Sequence, residues 1–81
     1  MRIARTEHFK RSYKKAPPQI KERVKKALLL LTQDIRHPSL RAKIVDPKKR
    51  IWQARVDGGW RLYFQIRRGT YYLLELIPHP H

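Results

Sequence analysis

Arg50 to His81 reads RIWQARVDGGWRLYFQIRRGTYYLLELIPHPH. Apolar and polar residues alternate through three short segments, and glycine-containing turns separate them. That period of two describes antiparallel strands with one apolar and one polar face, a three-stranded meander. In the first segment Trp52, Ala54 and Val56 share one face, while Ile51, Gln53 and Arg55 share the other. After Asp57-Gly58-Gly59, the apolar set is Trp60, Leu62, Phe64 and Ile66, with Arg61, Tyr63 and Gln65 opposite. A three-residue loop at Asp57–Gly59 pairs Val56 with Trp60 and Arg55 with Arg61, keeping both apolar sets together. A second three-residue loop, Arg67-Arg68-Gly69, puts glycine at the left-handed position. It pairs Leu62 with Leu74 and Arg61 with Glu75; a two-residue loop would set Glu75 beside Leu62. The polar face then carries a row Arg55, Arg61, Glu75 that is one acid short, and a phosphate would complete it through charge-assisted hydrogen bonds.

Upstream, the pattern changes to helical. Met1 to Arg5 reads as a short edge strand with Ile3 as its apolar contact. Thr6 is an N-cap residue, and Glu7 stands in the first turn, where the helix dipole favours an acid. Phe9 and Tyr13 lie one turn apart, and Ala16-Pro17-Pro18 ends the helix. Ile20, Val24, Ala27, Leu28 and Leu31 form the stripe of a second helix, widened by Leu29 and Leu30. The turn at Asp34–Ser39 ends it, and Leu40 to Val45 leads into the basic turn Asp46-Pro47-Lys48-Lys49-Arg50. The expected architecture is α+β: two N-terminal helices, an αα-hairpin, packed on a small, mainly antiparallel twisted sheet that ends in the meander. One domain spans 1–81, since 81 residues supply a single core.

Charge is the dominant bulk property. Twenty Lys and Arg stand against six Asp and Glu, a formal net charge of +14. A surplus of that size attracts polyanions, nucleic acid first, through phosphate contact and counterion release. Lys43, Lys48, Lys49 and Arg50 precede the meander in position to line an RNA path, and Tyr63 on the polar face suits base stacking. There is no cysteine, so neither disulfides nor thiolate chemistry enter. No apolar run has the length of a membrane span and no signal sequence is visible, so the expected location is the cytoplasm. His79 and His81 make a poor metal pair without a third ligand, and no cofactor or metal is expected. An imidazole near two arginines has its neutral form favoured, which suits His79 for proton transfer near neutral pH.

His37-Pro38-Ser39-Leu40-Arg41, Trp52-Gln53-Ala54-Arg55-Val56, Trp60-Arg61-Leu62-Tyr63-Phe64 and Ile77-Pro78-His79, in that order, resemble the RelE/ParE superfamily of type II toxin–antitoxin toxins. The resemblance covers nearly the whole chain. It implies a metal-independent endoribonuclease that cleaves mRNA, typically on the ribosome, and is held inactive by an acidic cognate antitoxin. In such enzymes the ribose 2′-hydroxyl attacks the adjacent phosphate. Arg61 and Arg55 match phosphate-binding positions, and His79 matches a post-strand histidine that acts as base or acid. Lys43, Lys48, Lys49, Arg50, Tyr63 and His81 complete the expected RNA surface. Two alternatives stay open: a ParE-like inhibitor of DNA gyrase without nuclease activity, and a non-catalytic RNA-binding module.

Overall fold

The computed structural model describes residues 2–78. Strand β1 (Arg2–Arg5) leads into helix α1 (Glu7–Lys15) and helix α2 (Pro18–Gln33). A short 3₁₀ turn, Pro38–Leu40, precedes strands β2 (Lys43–Asp46), β3 (Ile51–Asp57), β4 (Trp60–Arg67) and β5 (Thr70–Pro78). The result is α+β, a five-stranded mixed sheet in the order β1-β5-β4-β3-β2. The helices are therefore not the first elements: β1 precedes them and pairs in parallel with β5, while the other three ladders are antiparallel.

Local chemistry sets the helix ends. Thr6 accepts the Phe9 amide at 3.2 Å and donates its hydroxyl to the Leu73 carbonyl at 2.8 Å, so one residue both starts α1 and ties it to β5. Ala16 and Pro17 are extended, and Pro18 opens α2 with a nitrogen that lacks a hydrogen to waste. Beyond Arg5 the outer edge of β5 loses its strand partner and α1 takes over. Ser12 accepts the Leu76 amide at 3.1 Å and His8 contacts Glu75 at 3.1 Å, so the unpaired strand edge is covered.

The core lies between the helices and one face of the sheet. Ile20, Val24, Ala27, Leu28 and Leu31 of α2 and Phe9 of α1 are buried against Ala54, Leu62, Phe64, Tyr71, Leu73 and Leu76. Trp52, Val56, Trp60 and Ile66 pack at its margin. The stripe of α2 is narrower than its sequence suggests, since Leu29 is 57% exposed. Tyr71 is buried, and its hydroxyl donates to the Leu31 carbonyl at 3.0 Å, one of the acceptors left open in the last turn of α2.

Two ladders differ in register from the sequence reading. In β3–β4, Arg55 pairs with Arg61 as expected, but Asp57 rather than Val56 lies opposite Trp60 because Val56 is bulged. In β4–β5 the loop has two residues, not three. Arg67 pairs with Thr70, and Arg68 (φ 46°) and Gly69 (φ 76°) are both left-handed, as a type I′ turn requires. A bulge at Leu74 then restores the apolar match, giving Leu62 opposite Leu76, Arg61 opposite Ile77, and Glu75 opposite Tyr63 instead of Arg61.

Candidate nucleic-acid interface

The sheet face away from the core is built by alternation. Ile51, Gln53 and Arg55 on β3 lie opposite Gln65, Tyr63 and Arg61 on β4. Lys43 on β2 lies opposite Gln53, so Lys43, Gln53, Tyr63 and Glu75 form one row across four strands. Arg55 and Arg61 form the adjacent row with Ile77. The Tyr63 hydroxyl donates to Gln53 Oε1 at 3.2 Å and keeps its ring half-buried within the row.

Arg55 and Arg61 converge on the β3–β4 turn. Arg61 Nη1 donates to the carbonyls of Asp57 at 2.8 Å and Trp60 at 3.0 Å, which fixes its guanidinium against the hairpin end. Arg55 reaches over the same turn, its Nη2 only 3.8 Å from where a Cβ on Gly58 would stand. With Arg41, Lys43, Val45 and Gln53 the two arginines line a cleft of about 260 Å³ that contains four cations and no acid.

None of the acids lines this cleft, and each has a partner of its own. Glu7 pairs with Lys10 and Glu22 with Lys25 along their helices, and Glu75 meets His8. Asp34, Asp46 and Asp57 accept the amides of Arg36, Lys49 and Gly59 and so shape turns. Among the described residues no arginine is ion-paired. The cleft thus gathers four cationic donors, Arg61 held in place among them, with no acid in its lining, an arrangement suited to a phosphate.

The expected site residues fall into two groups. Lys43 joins Arg55 and Arg61, with Tyr63 beside them. Lys48, Lys49 and Arg50 stand at the opposite end of the sheet, where they line a separate cleft of about 660 Å³ with Gln65, Ile66, Arg67 and Arg68. His79 and His81 lie outside the described residues. Arg41 was missed: it follows the 3₁₀ turn in a left-handed conformation (φ 46°) that aims it at the arginine pair, and nothing in a lone arginine after Leu40 signals this. The described residues contain no cluster of three metal-ligating side chains and no helix long and apolar enough to cross a membrane.

No protein-family model and no curated protein matches the chain. Solved structures do. YafQ from E. coli BL21(DE3) superposes with a TM-score of 0.79 at 15% identity, covering 98% of this chain and 94% of that one. The YoeB/ParE toxin from Agrobacterium tumefaciens gives 0.81 at 9% identity, covering 99% and 100%. The toxin–antitoxin complex RelBE2 from Mycobacterium tuberculosis gives 0.76 at 22% identity, covering 96% of each chain. Each alignment covers nearly the whole of both chains. The chain has the fold of the RelE/ParE-like toxins of type II toxin–antitoxin systems.

Proposed function

We propose that the protein is the toxin of a type II toxin–antitoxin system and acts as an endoribonuclease on mRNA, on the ribosome. One observation carries the reading: Arg55 and Arg61 are opposed across β3–β4, in a cleft with Arg41 and Lys43 and without an acid. The scissile phosphate occupies that cleft. The 2′-oxygen of the preceding ribose forms a bond to phosphorus, and the bond from phosphorus to the 5′-oxygen breaks. The products are a 2′,3′-cyclic phosphate and a free 5′-hydroxyl. The negative charge that grows on the non-bridging oxygens is met by donors already in place, which is where such a site lowers the barrier. Arg61, held by two carbonyls, contacts the phosphate directly, and Arg55 supports it. His79, which follows directly on the residue paired with Trp60, takes the 2′-proton or protonates the leaving oxygen.

The partner that silences the toxin is an acidic antitoxin. Two observations support this: the likeness to a chain of the RelBE2 toxin–antitoxin complex, and a net charge of +14 that such a partner would neutralise.

The test is cleavage of defined RNA by the purified chain, with mapping of the new ends, for wild type, Arg61→Ala and His79→Ala. Loss of about 10²-fold or more in the arginine variant is expected for removal of a donor to the developing charge. Undiminished cleavage in both variants refutes the assignment. Absence of RNA cleavage by the wild type, with DNA-damage signalling on its expression, establishes the gyrase-directed alternative instead.

A further inference from the structure

The open face of the sheet does not end at the arginine pair. Along β4 the residues Arg61, Tyr63, Gln65 and Arg67 point to one side by alternation. From Arg61 to Arg67 the strand covers roughly 20 Å at its usual rise per residue. At the far end stand Lys48, Lys49 and Arg50 of the β2–β3 turn, with Arg67 and Arg68 of the β4–β5 turn: five cations around one cleft, with no acid in its lining.

Three features show that this end is built, not merely solvated. The β2–β3 turn is clamped from both sides, since Asp46 accepts the Lys49 amide at 3.1 Å and Gln65 donates to the Lys49 carbonyl at 2.7 Å. Arg50 (φ 56°) and Arg68 (φ 46°) both hold the left-handed conformation. Glycine or asparagine takes that conformation more easily, so arginine there retains a charge against local preference. Arg67 stacks over the exposed ring of Tyr72, 5.9 Å from its centroid, and Tyr72 lies opposite Gln65 on the same face. Between the two basic ends, then, lie Tyr63 and Tyr72, while the acids of this face are engaged, Asp46 by the Lys49 amide and Glu75 by His8.

We propose that this face is one continuous track for single-stranded RNA, and that the cleft of Lys48, Lys49, Arg50, Arg67 and Arg68 grips the RNA backbone away from the Arg55–Arg61 pair. The proposal rests on the nuclease reading for the identity of the RNA, although it adds a binding site which that reading does not require. Single strands are favoured over duplex because the centre of the track offers aromatic rings, on which only unpaired bases stack. The far cleft contributes affinity and sets the length of RNA needed for full binding.

The experiment uses the full chain and an unstructured 2′-O-methyl oligonucleotide, which cannot undergo 2′ attack, so binding is read apart from cleavage. Affinity is measured by fluorescence anisotropy over a salt series. The variant is Lys48→Gln/Lys49→Gln/Arg67→Gln, with Lys48→Arg/Lys49→Arg/Arg67→Lys as a charge-conserving control. Both are checked for fold by circular dichroism. Removing three single-strand phosphate contacts lowers the salt slope by about 2 and affinity about tenfold or more at moderate salt, while the control stays near wild type. Shortening the oligonucleotide until it no longer spans the track abolishes the difference between wild type and variant. Equal affinity and slope in wild type and glutamine variant overturn the track even if RNA cleavage is found. Equal or stronger binding of a duplex, or displacement by polyglutamate with no such dependence in RNA, overturns it too. Binding that depends on the far cleft in a chain that cuts no RNA upholds the track and refutes the nuclease reading alone.

Discussion

Substituting each member of the Arg55–Arg61 pair in turn should move stability in opposite directions. The two guanidiniums face each other across β3–β4, and like charges so placed destabilise a ladder by roughly 0.2–1 kcal/mol. Arg55→Gln removes that repulsion and, among the described residues, breaks no side-chain hydrogen bond. It should therefore stabilise by up to about 1 kcal/mol at low salt. Arg61→Gln removes the same repulsion but also releases two donations, to the Asp57 and Trp60 carbonyls. At about 0.5–1.5 kcal/mol per hydrogen bond, that loss outweighs the relief, for a net cost of about 1 kcal/mol. In a chain of this size 1 kcal/mol moves the melting temperature by about 4–8 °C, so thermal unfolding followed by circular dichroism resolves both shifts. The gain in Arg55→Gln should shrink as salt rises, because the screening length falls to about 8 Å at physiological ionic strength. A short polyphosphate should stabilise the wild type more than Arg55→Gln, since only the wild type retains both cations. Equal destabilisation by the two substitutions, with no response to salt, would refute the claim that the row is short of negative charge.

Two further outcomes test the frame around the site. Burial raises the Tyr71 pKa above the ordinary tyrosine value. The stability this neutral phenol supplies is therefore fully present below about pH 10 and lost as pH rises through the folded value. Tyr71→Phe should cost about 1 kcal/mol at neutral pH, by orphaning the Leu31 carbonyl, and its deficit should narrow in alkali; a pH-independent deficit in urea melts would contradict this. Arg68→Asn should stabilise by about 0.5–1 kcal/mol, since asparagine accepts the left-handed position of the type I′ turn, and should weaken RNA binding; unchanged melting would show that the turn carries no strain.

Alternation in β3 and β4 made the arginine pair legible, because a strand's two faces follow from its residues and the pairing of Arg55 with Arg61 follows from keeping Ala54 and Leu62 inside. The β4–β5 ladder was harder to read for a reason that is itself informative. Glu75 beside Leu62 is a buried charge, and excluding it is sound. A longer loop is one way to avoid that arrangement; the chain instead uses a tight turn followed by a bulge at Leu74. The two one-residue shifts add to two, which returns each side chain to its expected face against a partner two positions further on. The cost of Arg68 in a left-handed turn hides the turn from a reader looking for Asn-Gly. The pairing of β1 with β5 is hidden in another way, since four residues with one half-buried Ile3 carry no signal of a parallel partner 68 positions away.

The register of Glu75 bears directly on the chemistry of the arginine row. With Glu75 opposite Tyr63 and engaged by His8, the acid expected to neutralise Arg61 is absent from its row. Arg61 has instead two backbone carbonyls, which orient a guanidinium without cancelling its charge. Carbonyl dipoles leave the full unit charge available to a ligand, whereas a carboxylate would have to be displaced first. An arginine positioned by neutral acceptors is thus better suited to stabilise transient negative charge than one held in a salt bridge. The tight turn and the bulge at Leu74 together shift Glu75 by two positions along β4, from opposite Arg61 to opposite Tyr63, and so leave the Arg55–Arg61 row without a carboxylate.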